Sequence, residues 1–146
     1  MAMEELRFQA NLTWDGESGG EVSAGKFQGL KLDMPTEFGG KGRYPCPDEL
    51  FLSAVAGCLL TTFLYFKKRL SVHVIGFRIS ISATLRGGAE GYRLAGMEAT
   101  ILAEAKKSSE PEVRRCIELA KRYCHITRTL EKAVPIKILD RIMVVD

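Results

Sequence analysis

The chain has 146 residues, of which 46% are hydrophobic and 27% are charged, and it carries a formal charge of +3. This length predicts one domain over residues 1–146, and the composition excludes disorder as the main state. The 21 lysine and arginine residues nearly balance the 18 aspartate and glutamate residues, so the charge does not indicate a nucleic-acid partner.

Three short strands and a glycine-rich loop are predicted in the first third of the chain. The strands lie at residues 6–14, 21–27 and 30–34, where apolar and polar residues alternate between glycine-containing turns. Residues 35–46 contain three glycines and two prolines, a composition typical of a loop.

The longest predicted helix spans residues 47–70 and carries no charge from Leu50 to Phe66. Acidic residues at its start and basic residues at its end complement the helix dipole. The uncharged run is at the short limit for a membrane span and contains serine, threonine and glycine. A helix that is apolar on all sides is otherwise buried in a core, so we predict a buried helix and no membrane association.

The second half of the chain is predicted to form two strands, a second helix, a helical turn and a last strand, at residues 72–85, 92–105, 109–124, 129–134 and 136–145. Gly87-Gly88 separates the two strands, and Ser109 begins a capping-box pattern before the second helix. The order βββ-α-ββ-α-β has too few strand–helix alternations for a doubly wound sheet and favours an α+β fold.

Four cysteines are the feature that the sequence leaves to explain. The first residues, MAMEELRF, are acidic where an export signal needs a basic and then an apolar stretch. We therefore expect a cytoplasmic protein in a reducing compartment, where a structural disulfide framework is rare.

Two of the cysteines are predicted to face the core. Cys58 lies in the middle of the apolar helix, and Cys124 projects within about 20° of Val113, near the middle of the apolar stripe of the second helix. Such cysteines can meet at the Cα separation of about 5.5–6 Å that a reversible disulfide needs. The alternative is that each is a small buried hydrophobe. Cys46 and Cys116 are expected to take no part in the chemistry.

Other site chemistries have weaker support. There is no C-x-x-C motif, and a zinc site formed by Cys58, Cys124 and His125 has little support from the spacing. A hydrolase would need His73 or His125 as its base, and in a continuing helix His125 would project about 100° away from Cys124. Residues 39–42, GGKG, lack the spacing of a phosphate-binding loop. We expect no metal and no bound cofactor.

Two segments resemble the signatures of the OsmC/Ohr family. Residues 47–58, PDELFLSAVAGC, are similar to the family stretch P-[ED]-E-L-L-x-[AS]-A-x-A-[GA]-C. Residues 118–126, ELAKRYCHI, are similar to a second signature, a helix end of the type A-x-x-x-C-P-[VI], with His125 where proline is common. The two cysteines have the family separation, Gly39-Gly40 matches the approach loop, and the element order agrees over essentially the whole chain.

The resemblance implies an OsmC-like fold in which two long core helices pack against sheets in an intertwined homodimer. It also implies a thiol-dependent peroxidase that reduces organic hydroperoxides in oxidative or osmotic stress. Cys58 matches the peroxidatic cysteine and Cys124 the resolving cysteine. The partners would be the second subunit, the organic hydroperoxide, and an external small or protein dithiol that serves as reductant.

The resemblance further implies a cation beside Cys58, because an ordinary cysteine has a pKa of about 8.5. The family uses an arginine, oriented by a glutamate ten residues before the cysteine. Asp48 stands at that carboxylate position, with Glu49 next to it, and about 15 Å of helix separates Asp48 from Cys58. Asp48 would therefore reach only the thiol of a partner subunit. The usual places for the arginine hold other residue types, and Arg43 is the nearest substitute.

A second interpretation is a non-enzymatic OsmC-like protein that binds a small apolar ligand at the dimer interface. Under the first interpretation, bulky organic hydroperoxides are expected rather than hydrogen peroxide. The reason is that apolar side chains would line the site, namely Phe51, Leu59, Phe63 and Tyr123.

Overall fold

The computed structural model describes residues 3–146 and has the predicted α+β order, with two sheets and three helices. Its strands are β1 (Ala10–Trp14), β2 (Gly19–Ala24), β3 (Phe27–Asp33), β4 (Gly76–Gly88), β5 (Gly91–Lys106) and β6 (Ile136–Val145). Its helices are α1 (Pro47–Arg69), α2 (Glu110–Tyr123) and α3 (His125–Leu130). Short 3₁₀ turns occupy Thr36–Phe38 and Lys107–Ser109.

The chain forms two compact units, the first ending at Phe51 and the second running from Leu52 to Asp146. The boundary falls inside α1, so that its first turn belongs to the first unit. The sequence predicted one domain over residues 1–146, and this division into two units does not test that prediction.

The first unit is an antiparallel sheet in the order β1-β2-β3. The strand predicted to start at residue 6 begins at Ala10, because its partner β2 ends opposite at Ala24. Gly25, with φ +58°, makes the turn to β3. Gly29, predicted to separate strands, lies inside β3 with φ +93°, where the register with β2 is irregular. A glycine in this left-handed conformation makes a bulge rather than an end.

The glycine-rich loop after β3 folds back closely on itself. Gly39 has φ +88°, and a Cβ at Gly40 would overlap the backbone carbonyl of Met34. The Gly42 N–H donates to the same Met34 carbonyl at 3.3 Å. These positions therefore need glycine for conformation and close approach.

The second unit is built on a sheet in the order β4-β5-β6. The β4–β5 hairpin is antiparallel and β5–β6 is parallel, so α2 and α3 form the crossover that a parallel pair requires. The pairing continues to Gly88 opposite Gly91, so the turn falls on Ala89 and Glu90 rather than on the predicted Gly87-Gly88. The predicted last strand over residues 136–145 is confirmed.

The largest core of the second unit lies between α2, β5 and part of α1. Alternate β5 residues point inward and are fully buried: Ile101, Ala103 and Ala105. They meet the apolar stripe of α2, whose buried members are Val113, Cys116, Ile117 and Ala120. The predicted helix period and strand period therefore supply the two surfaces that pack together.

The predicted burial of the long helix is wrong for the single chain. α1 forms with the predicted start, but its buried residues are Val55, Cys58, Leu59 and Phe63. Leu64 and Tyr65, on another face, are 44% and 54% exposed. One chain thus covers one side of α1, whereas its sequence is apolar on all sides. By length and composition α1 is also long enough to cross a membrane, a test that core helices of soluble proteins pass as well.

The predicted capping box at the start of α2 is also wrong. Ser109 makes no side-chain capping hydrogen bond, and its own backbone is helical, with φ −101° and ψ −5°. The 3₁₀ turn of residues 107–109 leads directly into α2, so Ser109 does not have the extended backbone of a capping residue.

Candidate active site

The second helix stops at Cys124, and a new helix starts at the next residue. Cys124 has φ −63° and ψ 109°, an extended conformation between Tyr123 and His125. Its N–H still donates to the Ala120 carbonyl at 3.0 Å, while its own carbonyl accepts from the Arg128 N–H at 3.1 Å. Cys124 therefore ends one helix and begins the next. The helical turn predicted at residues 129–134 begins earlier, as α3, and a hydrogen-bonded turn continues from Leu130 to Val134.

The structure brings the two cysteines of the predicted redox pair into one cluster. Cys58 from α1 is 7% exposed and Cys124 is 0% exposed, and they pack with Leu59 and Ala99. Both are free thiols. The outer contacts of the cluster are partly buried isoleucines, namely Ile79, Ile81, Ile126 and Ile138. Two free thiols thus lie together in apolar surroundings.

The Cys124 thiol is held in its protonated form by its surroundings. Burial is the main factor that raises its pKa, and the neighbouring Cys58 thiol acts in the same direction. The hydroxyl and backbone N–H of Thr127 act against this shift. Thr127 is itself 3% exposed, and its hydroxyl donates to the Cys124 carbonyl at 3.2 Å. The net result is a buried thiol rather than a buried thiolate.

His125 lies against the sulfur of Cys58, a contact that the sequence suggested only as part of a weakly supported zinc site. The Cys58 Sγ is 3.8 Å from Nδ1 and 4.0 Å from Nε2 of His125. The missed step was the helix break, because a helix continued through Cys124 would turn His125 away. A signal was present in the sequence, since the family signature commonly has proline at this position, and proline interrupts helices.

Arg43 is the centre of an ion-pair network in the first unit. Its Nε donates to Asp33 at 2.8 Å, its Nη1 to Glu17 at 2.6 Å and its Nη2 to Asp15 at 2.7 Å. The Asp33 side chain is 0% exposed, and the Arg43 hydrogen bond, aided by Ser18, holds the pKa of Asp33 far below its usual range. The carboxylates in turn raise the pKa of Arg43. The guanidinium charge is therefore balanced within this unit.

The two acidic candidates lie at the start of α1, also in the first unit. Glu49 accepts from the Cys46 N–H at 3.0 Å, while the Cys46 carbonyl accepts from the Leu50 N–H at 3.1 Å. The Cys46 hydrogen bonds lower the pKa of Glu49. Glu49 and Cys46 thus close the first turn of α1, while Asp48 is exposed on the same turn.

The residues expected to line an apolar site have separate locations. Leu59 is in the cysteine cluster, and Phe51 belongs to the first unit. Phe63 is wrong as a lining residue, because it is fully buried in the main core and stacks on Phe77 at 4.2 Å between ring centroids. Tyr123 is 46% exposed and borders an open groove of about 550 Å³, whose other lining residues are Thr61, Thr62, Tyr65, Phe66 and Arg69.

Cys116 and a possible metal site remain to be placed within the described residues. Cys116 is fully buried in the main core, and burial raises the pKa of its thiol. Within residues 3–146, no group of three or more histidine, cysteine, aspartate or glutamate side chains is arranged to hold a metal ion.

Comparison with known proteins gives a family and a fold. The family model described as OsmC-like protein matches residues 40–139. A solved OsmC-like protein from Mycoplasma pneumoniae is 18% identical, with a TM-score of 0.78 over 98% of this chain and 100% of that one. An organic hydroperoxide resistance protein from Elizabethkingia anophelis is also 18% identical, with a TM-score of 0.75 over 97% of this chain and 100% of that one. No curated protein matches the sequence.

Proposed function

Because this chain belongs to the OsmC-like family, we propose that it is a cysteine-based peroxidase that reduces organic hydroperoxides. The observation that supports this function best is the cluster in which Cys58 and Cys124 lie together. The name of the Elizabethkingia anophelis relative, an organic hydroperoxide resistance protein, supports the same substrate class. A role in oxidative stress defence follows from that chemistry, and the family resemblance extends the proposal to osmotic stress.

The proposed reaction uses both thiols in turn. The Cys58 thiolate attacks one oxygen of the hydroperoxide, the O–O bond breaks, and the leaving alkoxide takes up a proton to give an alcohol. Cys58 is oxidised to the sulfenic acid. The Cys124 sulfur then attacks the Cys58 sulfur while its proton passes to the departing hydroxide, so that a disulfide forms and water leaves. An external dithiol reduces the disulfide by exchange, and no bound cofactor is needed.

The environments of the two thiols support this division of roles. Cys58 has an imidazole beside its sulfur, whereas burial keeps Cys124 protonated. A protonated thiol does not compete for the peroxide, because the thiolate is the nucleophile. Cys124 is therefore suited to react only after Cys58 has been oxidised next to it.

A homodimer is the proposed state of the protein. Leu64 and Tyr65 leave an apolar face of α1 exposed in the single chain, and a second copy would cover it. In such a dimer Asp48, Glu49 or Arg43 of one subunit would be placed to approach the site of the other, as the family resemblance implies. A cytoplasmic location accords with the need for a reducing dithiol.

The groove beside Tyr123 supports the alternative function. Its lining combines aromatic rings with two threonine hydroxyls, and its volume of about 550 Å³ suits a small ligand. Under this alternative the protein binds a small apolar molecule where α1 faces its partner, and its thiols do not turn over. Native mass spectrometry distinguishes the two, since retained ligand without peroxide consumption favours binding.

Peroxide consumption by cysteine variants tests the proposed function. With cumene hydroperoxide and a small dithiol, we expect turnover by the wild type and by Cys46→Ser, whose cysteine lies outside the cluster. Cys58→Ser is expected to lose turnover, and Cys124→Ser to lose turnover that depends on the disulfide. Equal consumption by Cys58→Ser and the wild type would refute the proposal.

A further inference from the structure

The contact between Cys58 and His125 places an imidazole beside the sulfur of the proposed peroxidatic cysteine. The Cys58 Sγ is within 4.0 Å of both nitrogens of the His125 ring, and an imidazole can either accept a proton or carry one. An opposite charge at about 4–6 Å favours ionisation of its partner. The sulfur and the ring are therefore close enough for opposite charges on them to stabilise each other.

We propose that His125 is the acid–base partner of Cys58. The imidazole takes the proton of the Cys58 thiol and stabilises the thiolate as an imidazolium. It then returns that proton to the alkoxide released from the hydroperoxide. The last step rests on the proposed peroxidase function, whereas thiolate formation is independent of the substrate.

The geometry favours a charge interaction over a single aligned hydrogen bond. The distances from the sulfur to Nδ1 and Nε2 differ by little, 3.8 Å against 4.0 Å, so the sulfur is nearly equidistant from the two nitrogens. The charge of an imidazolium is shared by both nitrogens, and the neutral ring accepts a proton on whichever nitrogen is free. The ion pair therefore does not depend on which tautomer the neutral ring adopts.

The other groups packed around Cys58 leave this interaction unopposed. From the sheet, Ile79, Ile81, Ala99 and Ile138 present apolar side chains to the cluster. From the end of α2, the facing titratable group is Cys124, which burial holds as a neutral thiol. Within the part of the chain that the structure describes, the group beside the Cys58 sulfur that can carry the opposite charge is His125, at the start of α3.

The other candidate cation, Arg43, has its charge neutralised by carboxylates. Arg43 donates to three carboxylates inside the first unit, whereas His125 is exposed in the single chain and lies on the sulfur itself. The helix break at Cys124 allows this contact, because the consecutive residues Cys124 and His125 can then both lie beside Cys58. The proton balance closes: the thiol proton passes through His125 to the alcohol, and the ring ends neutral as it began.

The pH dependence of Cys58 alkylation tests the inference without any peroxide. The reduced full-length protein is treated with iodoacetamide across a pH series, and alkylation of the Cys58 peptide is followed by mass spectrometry. In His125→Gln we expect the midpoint to rise by about one pH unit or more, so that the thiolate fraction below both midpoints falls about tenfold or more. His73→Gln removes the other, exposed histidine and is expected to follow the wild-type curve.

A reciprocal measurement avoids any dependence on His125 variants. The chain has two histidines, and their ring-proton NMR signals can be titrated separately. Replacing the thiol by Cys58→Ser is expected to lower the titration midpoint of His125 and to leave that of His73 unchanged. Linkage requires this, because an ion pair that favours the thiolate favours the imidazolium equally.

The outcomes separate this inference from the proposed function. An unchanged alkylation curve in His125→Gln, or an unchanged His125 titration in Cys58→Ser, overturns the acid–base role even if the protein consumes peroxide. Shifts in both measurements support the acid–base role even if neither the wild type nor any variant consumes peroxide, a result that would refute the peroxidase.

Discussion

The carboxylate of Asp33 is fully buried and accepts a hydrogen bond from Nε of Arg43 at 2.8 Å. It also accepts from the Arg43 backbone N–H at 3.0 Å and from the Ser18 hydroxyl. One carboxylate thereby joins the end of β3 to the glycine-rich loop. The pair ties the loop that precedes α1 to the end of β3.

Arg43→Gln is predicted to destabilise the first unit, because it leaves the buried Asp33 carboxylate without its main partner. We expect Tm to fall by several degrees at pH 7, measured by differential scanning calorimetry. Lys41→Gln serves as the control, since Lys41 pairs with Glu17 at a site about half exposed and is expected to change Tm little. A Tm for Arg43→Gln equal to that of Lys41→Gln would contradict this role.

The same network predicts a loss of stability in acid. The folded state lowers the pKa of Asp33, chiefly through Arg43, so its contribution is present above the unfolded pKa of about 3.9. It is lost progressively as the pH falls below about 5 toward the lower folded value. The Tm difference between the wild type and Arg43→Gln should therefore shrink between pH 7 and pH 3. A constant difference would show that the carboxylate is not the titrating partner.

Cys116→Ser is predicted to lower stability without changing the chemistry. A hydroxyl would replace a fully buried thiol among Ile101, Val113 and Ile117, at a cost of about 1–3 kcal/mol for an unsatisfied polar group. Urea unfolding measures this, and peroxide consumption per folded molecule should match the wild type. A loss of turnover in a folded Cys116→Ser protein would assign this cysteine a role in the reaction.

Leu64→Arg is predicted to break the proposed dimer, because it places a charge on the uncovered apolar face of α1. Light scattering after gel filtration should show the mass falling from twice the chain mass to 16.2 kDa. Glu90→Lys, in the exposed β4–β5 turn, is the matched surface control and should remain dimeric. If the wild type itself has the mass of one chain, the proposed dimer is wrong.

Bulky hydroperoxides are predicted to react faster than hydrogen peroxide. Cys58 lies among Leu59, Ala99 and partly buried isoleucines, so an apolar substituent gains contacts that hydrogen peroxide lacks. Rates of cumene hydroperoxide and hydrogen peroxide reduction, compared at equal concentration, measure this preference. Equal rates would indicate that the apolar cluster does not contact the substrate.

The sequence contained enough to predict the two cysteines but not their full surroundings. The core-facing positions of Cys58 and Cys124 follow from local patterns, namely an uncharged helix and a periodic apolar stripe, whereas their pairing follows from the resemblance to the two family signatures. The contact with His125 depends on a helix break at Cys124, and neighbouring residue types such as Tyr123 and Ile126 are compatible with a continued helix. The Arg43 network joins residues from three separate segments, a pairing that local periodicity does not encode.

The uncovered side of α1 shows a second limit. Leu64 and Tyr65 are apolar like the buried Leu59 and Phe63, so composition alone predicts burial for all four. Only the packing of β4, β5 and α2 decides which side of the helix one chain covers. Sequence pattern thus predicts that a face needs a partner, while the fold determines which face remains.

Disulfide mapping after oxidation tests the central claim most directly. The reduced protein receives one equivalent of cumene hydroperoxide and is digested without reductant, and the peptides are identified by mass spectrometry. The proposed mechanism predicts a linked pair of peptides containing Cys58 and Cys124, with Cys46 and Cys116 left as free thiols. Persistence of four free thiols, or formation of a disulfide that excludes Cys58, would contradict it.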